Sequence, residues 1–158
     1  MSTGADKMVS KAKSFLGDSE SNGRAQKDIM RPYIKLTGRK GLNVKTCPWC
    51  QIFIVSCEYQ SASVKAGYCK SSGCLQALNW YKKKKRFKKR GVTPSYAAQV
   101  FYDFKGKGKP THTGLIVKIN KSKKTITVIE GNKSNKVAYR TISWNSKYIL
   151  GYGLPYYK

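Results

Sequence analysis

Apolar side chains recur at helical spacing over residues 5–16, through Ala5, Met8, Val9, Ala12, Phe15 and Leu16, with Lys7, Lys11 and Lys13 off that stripe. The spacing predicts a short amphipathic helix that Gly17 ends. Residues 18–25 are polar and contain glycine, which reads as a loop. A second helix is predicted over about 26–36, disturbed by Pro32, and a basic loop follows from Gly38 to Thr46. The run Cys50-Gln51-Ile52-Phe53-Ile54-Val55-Ser56-Cys57 is rich enough in β-branched residues to suit a strand. Pro48 just upstream favours a helix start instead, so a buried helix is predicted from about Cys50 to Ala62. A further helix is predicted from about Ser71 to Lys83, around Leu75, Ala77, Leu78 and Trp80.

Beyond residue 90 the pattern changes to short β-rich runs: Val100–Phe104, Leu115–Ile119, Thr125–Ile129, Val137–Arg140 and Ile149–Gly153. Gly, Lys, Asn and Ser separate them at close spacing, as in an antiparallel sheet. Helices first and strands second predict an α+β fold. No internal repeat or domain boundary is visible, and residues 1–158 read as a single domain.

Composition narrows this picture. With 40% hydrophobic and 12% aromatic residues, the 158-residue chain is too apolar to be disordered and long enough to bury a core. The charge is extreme: 32 Lys and Arg against 7 Asp and Glu give a formal +25, a field that attracts polyanions. Nucleic acid, anionic lipid and phosphate-rich cell-wall polymers all fit that field. No stretch has the apolar length of a membrane span, and Met1–Gly17 has no signal-peptide core. The chain is therefore expected to be made in the cytoplasm, with its cysteines reduced. Five cysteines (Cys47, Cys50, Cys57, Cys69 and Cys74) are an odd number, so no complete disulfide framework is possible within the chain.

The candidate chemistry centres on the only histidine, His112, in the strand signal Thr111-His112-Thr113-Gly114-Leu115-Ile116-Val117. It is the one side chain that titrates near neutrality without a strongly shifted pKa. Cys50 opens a predicted helix, where free N–H groups and the helix dipole favour a thiolate. A base of this kind needs an orienting acid, and the choice is short. Asp6, Asp18, Glu20 and Asp28 lie in polar N-terminal segments, Glu58 lies two turns down the Cys50 helix, and Asp103 lies on a preceding strand. Glu130 follows the strand Thr125–Ile129, and a hairpin across Asn120–Lys124 would bring it to His112. Asn132, in an apparent turn at Gly131-Asn132, is a supporting candidate. Two other readings remain open on the residues alone. Cys47-Pro48-Trp49-Cys50 has redox C-x-x-C spacing, and Cys47, Cys50, Cys69 and Cys74 could hold zinc in a basic nucleic-acid-binding module.

Three blocks together resemble the CHAP domain (cysteine, histidine-dependent amidohydrolase/peptidase): Pro48-Trp49-Cys50-Gln51-Ile52-Phe53-Ile54, Thr111–Val117 and Ile129-Glu130-Gly131-Asn132. The closing Ile149-Leu150-Gly151-Tyr152-Gly153-Leu154-Pro155 resembles that family's last strand. The likeness spans about residues 5–158 and is strongest to domains of phage endolysins and Gram-positive cell-wall hydrolases. It implies a papain-like α+β fold and hydrolysis of peptidoglycan amide bonds by a monomeric enzyme needing no cofactor. Cys50 matches the nucleophile, His112 the base, Glu130 the orienting acid and Asn132 a supporting polar group. The Cys50 backbone N–H is an oxyanion candidate, with Gln51 a further one, and Trp49 is expected either to line the cleft or to serve in packing. Some members bind calcium through an acidic loop, but Lys105-Gly106-Lys107-Gly108-Lys109 offers no carboxylate, so no metal is expected there. Lys82, Lys83, Lys84, Lys85, Arg86, Lys88, Lys89 and Arg90 are candidate contacts to anionic wall polymers. Specific nucleic-acid binding is not expected. The implied site of action is the cell wall, after release from the bacterial cytoplasm.

Overall fold

The computed structural model describes residues 3–158. Helix α1 (Gly4–Ser14) begins on a capping box in which Thr3 and Asp6 satisfy each other's backbone N–H groups. The expected second helix is present in two parts: one π-helical stretch, Gln26–Met30, runs into α2 (Arg31–Thr37). Pro32 sits in the first turn of α2, where its missing N–H costs least. Helix α3 (Cys50–Ser61) starts at Cys50 and ends on Ala62 in the left-handed region, and α4 (Cys74–Lys83) starts three residues later than the pattern suggests.

The strands are β1 (Phe87–Lys89), β2 (Gln99–Tyr102), β3 (His112–Asn120), β4 (Thr125–Lys133), β5 (Lys136–Ser143) and β6 (Ile149–Gly153). They form one antiparallel sheet in the order β1-β6-β2-β3-β4-β5, so the fold is α+β with the helices N-terminal to the sheet. Strand β1 lies inside the basic stretch, where no strand was expected. Its pairing with β6 supplies the order that its own sequence does not. Lysine-rich β1 forms one edge, and charge there discourages a further strand from adding.

Two corrections concern β4. The hairpin across Asn120–Lys124 is present, with Asn120 opposite Thr125. However, β4 does not end before Glu130; it runs on to Lys133. The turn lies at Ser134-Asn135, both at positive φ between the paired Lys133 and Lys136, as a two-residue hairpin turn requires. Asn132 is therefore not in a turn. It sits within the strand at φ 59, where the pairing with β5 shifts register.

Helix α3 is the centre of the molecule. Every residue from Cys50 to Glu58 is buried, because α1, α2 and the sheet surround it. Ile52, Phe53, Val55, Leu115, Val117 and Ile129 share one core with Met8, Ile29 and Tyr33. Alternation along β3 and β4 sends Ile116, Ile126 and Val128 to the opposite face, where Val100, Trp144 and Tyr152 cover them. Close approach of α3 to β4 depends on Gly131: a Cβ there would collide with Phe53 and crowd Trp49. Gly114 plays the same part between β3 and β4, since a Cβ would strike Val128 and the Glu130 side chain.

Candidate active site

Cys50 is the first residue of α3, so its backbone N–H and those just after it have no partner within the helix. His112 is the first residue of β3, at the rim of the same sheet that α3 packs on. Its Nε2 lies 2.9 Å from Oε1 of Glu130, which leaves Nδ1 as the ring nitrogen available to Cys50. Tyr102, opposite His112 in the β2–β3 pairing, stacks on the imidazole at 5.9 Å and 19° and fixes the ring plane.

Glu130 is fully buried and carries two cationic partners. Arg140, from β5, donates from Nε to Oε2 at 2.8 Å and from Nη2 to Oε1 at 3.1 Å. The guanidinium also lies over the rings of Tyr102 and Phe104. Burial alone would raise the Glu130 pKa, but His112 and Arg140 outweigh it and hold the carboxyl below its usual range. Arg140 is thus a working part of the cluster that the sequence pattern did not single out. Its one signal was position: in β5 it pairs with Val128, two residues from Glu130 on the same face of β4.

The second unexpected member is Cys74, whose Sγ lies 3.6 Å from that of Cys50. The Cys74 thiol, the His112 ring and the Gln51 backbone N–H together overcome burial and bring the Cys50 thiol down to about 5. Burial disfavours charge on His112, yet Cys50 and Glu130 more than offset it and raise the imidazole to about 9. Between those values the favoured state is a thiolate beside an imidazolium, with a buried carboxylate behind it. This arrangement can attack a carbonyl carbon and deliver a proton to the departing group.

The remaining expected site residues fall in different places. Gln51 is buried, and its Oε1 accepts from Gln99 Nε2 at 2.6 Å, while Gln99 also donates to Thr113. Its side chain ties α3 to β2 and β3 and does not reach an open cleft. Trp49 is fully buried as well, donating from Nε1 to Glu20 at 3.1 Å. Of the two expected roles for Trp49, burial selects packing over cleft lining, with Phe53 and the close approach at Gly131 holding it in the core. Asn132 is half-buried, two residues beyond Glu130, and its side chain has no hydrogen bond among the described residues.

In the basic stretch, Lys82, Lys89 and Arg90 line a groove of about 410 Å³ together with Lys147 and the apolar Leu75, Phe87 and Leu150. Lys83, Lys84, Lys85 and Lys88 are exposed. Arg86 is not free for a polymer. It donates to the Leu154 and Pro155 carbonyls and stacks over Tyr156, clamping the C-terminal segment. In the loop before His112, the Asp103 carboxylate accepts from the backbone N–H groups of Lys105, Lys107 and Gly108.

The redox and zinc readings do not survive the fold. Helices precede an antiparallel sheet, so no βαβ unit frames Cys47-Pro48-Trp49-Cys50, and the Cys47 thiol instead faces the Pro48 carbonyl. Among the described residues no three His, Cys, Asp or Glu side chains gather as a metal site, so the four cysteines of the zinc alternative do not converge.

A cysteine, a histidine and a carboxylate thus meet where a helix start adjoins a sheet rim, the set of side chains that thiol hydrolysis requires. The CHAP domain family model matches residues 42–132, from the loop before Cys50 to just beyond Glu130. The chain belongs to the CHAP domain family, which supports a peptidoglycan hydrolase acting as an amidase or peptidase. No curated protein matches the chain.

Proposed function

We propose that the protein cleaves an amide bond of peptidoglycan through Cys50, His112 and Glu130. The observation that carries this reading is the His112–Glu130 contact beside the Cys50 helix start, with Arg140 closing the far side of the carboxylate. The Cys50 thiolate attacks the carbonyl carbon and forms a tetrahedral oxyanion, for which the Cys50 backbone N–H is the candidate donor. His112 gives its proton to the amine as the C–N bond breaks, leaving a thioester on Cys50. Neutral His112 then takes a proton from water, whose oxygen attacks the thioester and expels the thiolate. Glu130 keeps the ring oriented and favours its charged form.

The cationic edge extends the reading. Lys82, Lys83, Lys84, Lys85, Lys88, Lys89 and Arg90 draw the enzyme to phosphate-bearing wall polymers, in the manner of a phage-type lysis enzyme that works as a monomer on Gram-positive walls. Clearing of a Gram-positive wall suspension tests the proposal. The wild type is expected to clear it and Cys50→Ala to leave it turbid. Equal clearing by Cys50→Ala would overturn the thiol mechanism.

A further inference from the structure

The pair formed by Cys50 and Cys74 joins two helix starts, since Cys74 is the first residue of α4. At 3.6 Å the sulfurs are well beyond the ~2.05 Å of a disulfide. They are within reach of a sulfur hydrogen bond, and only one of them needs to give a proton. Both thiols open a helix, so the helix dipole acts on both alike and does not decide which sulfur is charged. His112 decides it. The imidazole and the Gln51 backbone N–H act on Cys50, whereas Cys74 has burial and the Cys50 sulfur, both of which favour its neutral form.

A thiolate as buried as Cys50 has lost most of its water and needs donors in its place. The His112 ring and the Gln51 backbone N–H both favour the charged sulfur, and the one sulfur contact is Cys74. We propose that Cys74 is a positioning residue of this site, its S–H donating to the Cys50 sulfur and holding it towards His112. The distance, the shared helix-start geometry and the one-sided position of His112 all point the same way. Cys74 touches no reacting atom of the substrate in this role. It acts through Cys50 by keeping the sulfur charged and in one rotamer while the carbonyl approaches.

The inference rests on the thiol-hydrolase reading for what Cys50 does in catalysis, but its test does not depend on hydrolysis. The full chain is treated with iodoacetamide across a pH series, and alkylation of Cys50 is followed on its own peptide by mass spectrometry. The wild type is expected to show a midpoint near 5. Cys74→Ala is expected to move that midpoint up by about one unit. Cys74→Ser restores a donor and is expected to return it to within a few tenths of the wild type, on the order of a twofold change in rate at fixed pH. If Cys74→Ala fails to fold, Cys74→Val fills the space without a donor and is read the same way. An unchanged midpoint in the donor-free variant overturns the proposal, and so does a serine variant that shifts as far as alanine. A wild type with the expected profile but no action on peptidoglycan would instead defeat the functional reading and leave the role of Cys74 standing.

Discussion

Helices α3 and α4 both begin on a cysteine, and the two thiols lie 3.6 Å apart, yet their settings differ in nearly every other respect. Helix α3 is apolar and buried through Cys50–Glu58, whereas α4 is amphipathic and ends in Lys82 and Lys83. Position at a helix start is common to both and so cannot account for the depressed pKa of Cys50 and the raised pKa of Cys74. The difference lies in what the rest of the fold presents to each sulfur. Strand β3 delivers His112 to Cys50, and β4 and β5 brace that imidazole through Glu130 and Arg140. The lesson is that, of two thiols at helix starts, the one that carries the charge is chosen by its neighbour on the sheet.

The sharpest way to break this comparison is to remove each thiol in turn. Cys50→Ala is expected to lower peptidoglycan cleavage by at least about 10⁴-fold, and Cys74→Ala by only about tenfold, in initial rates on purified wall. Equal losses would erase the distinction. His112→Ala is next, with an expected loss of about 10³- to 10⁴-fold and a Cys50 alkylation midpoint moved back towards that of an ordinary thiol. The pH dependence follows directly. Activity is expected to be flat between about 5 and 9, the values of Cys50 and His112. It falls about tenfold per unit below 5 as the thiolate is protonated, and likewise above 9 as the imidazolium loses the proton the leaving amine needs. A single limb in the rate profile would contradict paired titration.

Smaller effects probe the support around the pair. Glu130→Gln keeps the shape but removes the charge facing His112 and Arg140, and is expected to lower kcat by about 10- to 100-fold with little change in KM. At the far end of α3, burial raises the Glu58 carboxyl to about 8. The folded chain keeps this proton while an unfolded chain releases it near 4.5, so the site costs stability progressively as pH rises from about 4.5 to 8. Glu58→Gln is therefore expected to stabilise the protein by about 1–3 kcal/mol at pH 8.5, and to change little at pH 4, by denaturant unfolding. Stabilisation of the same size at both values would exclude a protonation origin.

Much of this was legible in the chain. The 3.6-residue pattern located α1, Pro48 identified the start of α3, and alternating strands with short polar turns gave an antiparallel sheet. His112 stood out because it is alone, and the hairpin to β4 brought Glu130 to it. What was not legible depended on pairing across the chain. Strand β1 exists because β6 gives its backbone partners, and Lys88 and Lys89 carry no strand signal of their own. Arg140 and Cys74 reach the site from elements whose register and packing are fixed only in the folded state. Gly131-Asn132 looked like a turn because those residues favour positive φ, but Asn132 uses that conformation for a register shift inside a strand. Trp49, beside Cys50, suited a cleft or a packing role equally, and only the packing of α3 on β4 decides between them.

The central claim is that Cys50, charged by His112, opens an amide bond of the wall. Its most direct test is mass spectrometry of purified Gram-positive peptidoglycan after digestion by the wild type and by Cys50→Ala. The account predicts soluble fragments from the wild type, each cleavage adding one water and exposing one new amine, and intact polymer with Cys50→Ala. The same fragments from both proteins, or none from the wild type, would contradict it.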